Sequence, residues 1–163
     1  MSHKHLKIPS DLRQLKAVRD AVLELATPCL STQAHLVVLA VDEAVSNVMR
    51  HAYGANGGTN GSADGGRPAS ESGASAAVLA AAREIEVDID SGGGRLEVCI
   101  ADGGPAYNPC DARPDELLDR VWARKRGGMG LSIMRGVMDE IRYDRTLAHR
   151  NELKLIKYFD RKP

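Results

Sequence analysis

Aromatic residues are scarce: one Trp, one Phe and four Tyr in 163 residues, so the core must be built from Val, Leu, Ile and Ala. Cysteine is scarce as well. Cys29, Cys99 and Cys110 are odd in number and unrelated in spacing, which argues against a disulfide framework or a zinc site and fits reduced cytosolic thiols. There is no excess of charge. The 22 basic and 22 acidic side chains cancel, whereas a dedicated nucleic-acid binder is normally basic. No apolar run reaches the length of a membrane span, and Lys4, His5 and Lys7 precede any apolar stretch, against a signal-peptide pattern. The expectation is a cytoplasmic protein that engages neither membrane nor nucleic acid directly. What is present is 43% hydrophobic and of a length that suits one domain, residues 1–163, with a real core.

One stretch departs from the rest. Residues 54–77 are almost all Gly, Ser, Ala, Asn and Asp. Such a tract cannot bury enough apolar surface to offset its ordering entropy. It reads as a flexible insertion within the domain. Loop-closure cost grows by only roughly 0.6 kcal/mol per doubling of length, so a fold tolerates it.

The apolar pattern sets the elements. Lys4 to Ile8 suggests a first strand. Ser10 is a candidate N-cap for a helix with Leu12, Leu15, Val18, Val22 and Leu25 on one face, ended by Pro28. Ser31 is a candidate cap for a second helix to about Tyr53, striped by Val38, Val41, Val45 and Val48. Residues 78–83 suggest a helical turn. Ile85, Val87 and Ile89 alternate with acids, and Leu96, Val98 and Ile100 are in phase in the next strand, the two joined as a hairpin through Ser91–Gly94. A short helix at 114–123 follows, then one over Gly130–Met138 with Leu131, Met134 and Met138 on one side. Glu140–Thr146 and Glu152–Phe159 form a last antiparallel pair. Segregated helices and antiparallel strands imply an α+β, two-layer sandwich.

Three clusters carry possible chemistry. Glu43 and Asn47, four apart, share a helix face, where a carboxylate and an amide can hold a metal-bound water and a hydroxyl. An isolated pair of this kind is more often just solvent-exposed. Asp102-Gly-Gly-Pro105 follows a strand. Its carboxylate can accept from an exocyclic amine such as that of adenine, although an Asp capping its own turn is the commoner meaning. Arg124-Lys-Arg-Gly-Gly-Met-Gly130 precedes a helix, where free backbone N–H groups and the positive helix end favour phosphate, or where the glycines are simply a loop. It is neither a Walker A nor a Rossmann motif.

In this order and on these elements, the clusters resemble the Bergerat-type ATP-binding domain shared by gyrase and histidine kinases. Glu43-Ala-Val-Ser-Asn47 resembles its N box, Asp102-Gly-Gly104 its first glycine box and Gly128-Met-Gly130 its second. The flanks D-E-A-V-S-N-V-M-R-H-A-Y at 42–53, D-G-G-P-A-Y-N-P at 102–109 and G-G-M-G-L-S-I-M-R-G-V-M-D-E-I at 127–141 resemble the bacterial anti-sigma-factor serine kinases, and the resemblance covers nearly the whole chain.

The resemblance implies a mostly antiparallel sheet and a set of roles. Asn47 would ligate Mg²⁺ bridging the ATP phosphates, and Glu43 would be the general base. Asp102 would bind the adenine amino group, with Gly104 allowing close approach. Gly128 and Gly130 would contact phosphates, with residues 106–127 as a lid and Arg50 and Arg126 among the candidates for charge neutralisation. The implied activity is ATP-dependent serine phosphorylation of an anti-sigma-factor antagonist by a homodimer that also binds a sigma factor. A non-catalytic ATP-binding module and a detached histidine-kinase domain are the alternatives. Two features depart from the family: the length of the 54–82 connection, and a last strand, Asn151-Glu-Leu-Lys-Leu155, with no Ser or Thr where a hydroxyl often lies near the adenine-binding Asp.

Overall fold

A computed structural model describes residues 1–53, 84–111, 129–147 and 149–159. The insertion at 54–77, the turn at 78–83 and the helix expected at 114–123 lie outside the described residues. Five strands form one sheet: β1 (Ser2–Pro9), β2 (Glu84–Gly92), β3 (Arg95–Asp102), β4 (Glu140–Arg145) and β5 (Asn151–Tyr158). Their order is β1-β2-β3-β5-β4, and every neighbouring pair is antiparallel.

Alternation dictates which face is wet. Ile85, Val87 and Ile89 on β2 and Leu96, Val98 and Ile100 on β3 are all buried on the side that the helices cover. Gly93 and Gly94 make the two-residue turn between these strands with φ of 58° and 75°. Both angles are left-handed, which is why glycine stands at both positions and why the register closes at Gly92 opposite Arg95.

Among the described residues, three helices form the second layer: α1 (Leu15–Leu30), α2 (Ala34–Tyr53) and α3 (Met129–Val137). Helix α2 packs against α1, α3 and β3, so it is the central element of that layer. Flanked on both sides, it buries a wider face than a valine stripe: Ala34, Val37, Ala40, Val41, Ala44, Val45, Val48 and Met49. Val37 therefore takes the fully buried place expected for Val38, which is half-buried. The two-layer α+β sandwich is the expected architecture.

The helix ends differ from expectation. The N-cap is Asp11, not Ser10. Its extended backbone leads into a 3-10 turn, and its carboxylate accepts from the Arg13 N–H at 2.9 Å. Leu12, within that turn, is exposed and not part of the core face. Pro28 does not end α1, which continues to Leu30. It sits in the last turn on an exposed position, where the missing N–H leaves only one carbonyl to water, while buried Leu30 anchors the end. Ser31, with φ of 48°, then breaks the path before a 3-10 turn leads into α2. By length and composition the helical stretch Leu12–Arg50 passes for a membrane span, contrary to the expectation that no run is that long. Many of its apolar positions are core residues packed between the helices and the sheet, while Leu12, Leu36 and Leu39 are exposed. None of the three cysteines forms a disulfide, and burial pushes the Cys99 thiol above its ordinary range.

Candidate functional site

Helical periodicity places Glu43 and Asn47 on one side of α2, at the border of its buried face, so both are half-buried. Arg50 lies one further turn along. Its Nη1 donates to Asn47 Oδ1 at 3.3 Å, and its Nη2 stands 3.8 Å from Glu43 Oε2. The guanidinium is itself exposed, so these are weak, screened contacts that phosphate or solvent can replace. Next to Glu43, Asp42 holds Arg19 of α1 through two hydrogen bonds at 2.7 and 2.9 Å, which fixes the two helices relative to one another.

Helix α3 approaches this face through Gly130. A Cβ at that position would lie 3.1 Å from Glu43 Cδ, 3.3 Å from its Cβ and closer still to a carboxylate oxygen. Only glycine lets the first turn of α3 come so close. Gly130 is thereby placed beside the Glu43 carboxylate, in the first turn of α3. Gly130→Ala is expected to cost about 1–3 kcal/mol through this overlap, despite alanine's better helix propensity. In thermal melts Tm should drop by several degrees, and by clearly less in a Glu43→Ala background. An equal drop in both backgrounds would contradict the contact.

Asp102 is the last residue of β3 and stands in register opposite Asn151, the first residue of β5. Both side chains are buried. Asp102 Oδ1 accepts the Gly104 N–H at 2.8 Å and Asn151 Nδ2 at 3.0 Å. The capping turn that competed with a binding role is therefore real, and it serves to orient the carboxylate. Oδ2 receives neither bond. Gly104 closes the turn, its carbonyl accepting from Asn151 Nδ2 at 3.1 Å.

Asn47 and Asp102 line the same cleft, whose walls include Ala44, Val48, Tyr107 and Met134. Its interior space is about 10 Å³ in this form, roughly that of one water. The cleft as it stands is too small to enclose a purine ring. Among the described residues no cluster of three or more His, Cys, Asp or Glu offers a complete metal cage. Asn47 offers a hard amide oxygen at the cleft. That donor set fits Mg²⁺, which usually takes one or two protein oxygens and completes its shell with water and substrate phosphate.

Of the sequence-derived candidates, Glu43, Asn47, Arg50 and Gly130 come together on α2 and α3, Gly104 caps Asp102, and Asn47 and Asp102 line one cleft. Gly128 and Arg126 lie outside the described residues. The residue that sequence reasoning missed is Asn151. It occupies the place beside Asp102 where the resemblance implies a hydroxyl, and its signal is its position at the head of the last strand.

The sequence matches the family model described as a histidine kinase-like ATPase domain over residues 8–157. Among solved structures, the chain is similar to the RsbU and RsbW domains of Rv1364c from Mycobacterium tuberculosis, at 16% identity and a TM-score of 0.57. That alignment covers 99% of this chain and 34% of the other, so the chain spans about a third of that protein's length, and the likeness concerns the fold alone. The Acinetobacter baumannii histidine kinase AdeS aligns at 12% identity and a TM-score of 0.43, over 99% of this chain and 70% of that one. No curated protein matches the sequence.

Proposed function

The chain belongs to the histidine kinase-like ATPase domain family, and we propose that within it the protein is an ATP-dependent serine kinase of the partner-switching type. In this reading it acts in the cytoplasm as a homodimer, binds a sigma factor, and phosphorylates a serine of the anti-sigma-factor antagonist. The observation that carries the reading is one cleft lined by both Asn47 and Asp102, with the Glu43 carboxylate one helical turn from Asn47 beside Gly130.

In this reading each residue has one role. The free Oδ2 of Asp102 accepts from the adenine amine. Asn47 offers its amide oxygen to Mg²⁺, which supplies charge compensation for the phosphates when bound. The N-terminal backbone of α3 and Arg50 face the phosphate end. Glu43 takes the proton of the serine hydroxyl as that oxygen bonds to the γ-phosphorus and the bond to ADP breaks. Little covalent work falls to the protein, and positioning with oriented donors does most of it.

The test has two arms. Calorimetry with ATP and Mg²⁺ should show binding by the wild type and loss of the Mg²⁺-dependent part in Asn47→Ala. Mass spectrometry after incubation with the antagonist should then show phosphoserine. Binding without phosphoserine would favour a non-catalytic ATP-binding module. Transfer to a histidine of a separate chain would favour a detached histidine-kinase domain.

A further inference from the structure

The polar network around Asn151 is complete, and its shape has a consequence for the nucleotide base. Asn151 is 4% exposed and uses its whole amide. Nδ2 points at Asp102 Oδ1 at 3.0 Å and at the carbonyls of Gly104 and Pro105 at 3.1 and 3.2 Å. Oδ1 accepts from Tyr143 Oη at 2.8 Å and from Arg145 Nη1 at 2.7 Å. A guanidinium can only donate, and the carboxylate and the two carbonyls can only accept, whereas the Tyr143 hydroxyl can do either. Turned by half a turn, the amide would lose its bonds to Arg145, Asp102, Gly104 and Pro105 and could keep only one to Tyr143. The side chain is clamped from two strands and in turn clamps the first glycine-box turn.

We propose that Asn151 is a positioning residue that makes this site select adenine over guanine. The inference rests on the reading that Asp102 receives the base. A carboxylate oxygen has two lone-pair directions. On Asp102 Oδ1 they are occupied by the Gly104 N–H and by Asn151. One oxygen, Oδ2, is left for a ligand. Adenine presents a single amino donor beside a ring acceptor, and a single free oxygen suits it. Guanine presents an acceptor where adenine has that donor. Its donors are the adjacent N1–H and amino group, which a carboxylate holds best with both oxygens at once. With Oδ1 occupied, that two-point grip is not available. Asn151 thus acts through Asp102, and Tyr143 and Arg145 hold Asn151 in the orientation this requires.

The test is the ratio of ATP to GTP affinity, measured by calorimetry on the full chain with Mg²⁺. The wild type should prefer ATP. Asn151→Ala frees Oδ1 and lets the carboxylate turn, so ATP affinity should fall about 10–100-fold, the range for a hydrogen bond to a charged group, while GTP affinity holds or rises. Asn151→Thr returns one donor to Oδ1 and should restore part of the preference. Tyr143→Phe leaves Asp102 and its partners in place and removes one of the two donors that orient Asn151. It should lower the ratio by a few-fold, and it keeps the test open if Asn151→Ala does not fold. A ratio unchanged in Asn151→Ala or in Tyr143→Phe, with ATP still bound, overturns the inference and leaves the assignment of Asp102 standing. A wild type that binds neither nucleotide overturns that assignment and the inference with it.

Discussion

Glu43→Gln should bind ATP as the wild type does and transfer phosphate to serine about 10²–10⁴-fold more slowly, the usual loss when general-base help is removed. Glutamine is the informative replacement because of Gly130. The Glu43 side chain fills the space that a residue at 130 would otherwise occupy, so a shorter side chain would leave a gap and blur the result. Glutamine keeps the volume and the packing of α3 on α2 and loses only the ability to take a proton. Arg50 Nη2, 3.8 Å from the carboxylate, loses a weak exposed partner, which is of little consequence for stability. Single-turnover phosphorylation of the antagonist, followed by phosphoserine mass spectrometry, gives the rate, and calorimetry gives the ATP affinity. Transfer at the wild-type rate would remove Glu43 from the chemistry. Loss of ATP binding along with transfer would make it a binding residue instead.

The second large effect is expected at Asp102, which lines the same cleft as Asn47. Asp102→Asn can keep its remaining oxygen towards the Gly104 N–H and Asn151 Nδ2, so the turn and the β3–β5 junction survive. Its amino group then stands where Oδ2 was, and a donor meets the adenine donor. The lost bond to a charged acceptor corresponds to roughly 1.5–3 kcal/mol, or about 10–100-fold in ATP affinity, and the opposed donors add to it. Tm should change little. A nucleotide titration and a thermal melt on the same preparation separate the two. Unchanged affinity would show that the base is read elsewhere. A collapse of Tm would show that the charge of Asp102 matters to the fold itself.

Much of this architecture was legible in one dimension because the decisive signals are local. Strict alternation in Glu84–Asp90 and Arg95–Ala101 permits only one face to be buried, and two glycines between the strands permit the left-handed turn. The four-residue spacing of Glu43 and Asn47 guarantees a shared side of α2. Where local signals misled, several weak preferences competed. Ser10 and Asp11 are both good caps, and the choice fell on the residue whose backbone is extended and whose carboxylate reaches the Arg13 N–H. Pro28 is a strong helix breaker only where its lost hydrogen bond is buried, and here the position is exposed. Val37 and Val38 have identical propensities, so nothing but the neighbours of α2 could decide between them.

The described strands and helices, the inner face of each strand and the residue types of the three clusters follow from local signals, because backbone periodicity and turn chemistry act over a few residues. Only the tertiary structure decided what those clusters touch. Asp102 and Asn151 are 49 residues apart and meet because β3 and β5 pair in one particular register, which turns an unremarkable asparagine into the partner of the buried carboxylate. Gly130 reads as one glycine among several until α3 is laid on α2. Its missing side chain is then the space in which Glu43 stands. Such contacts depend on the relative placement of whole helices and strands, set by the packing of their apolar faces, and no spacing along the chain encodes them.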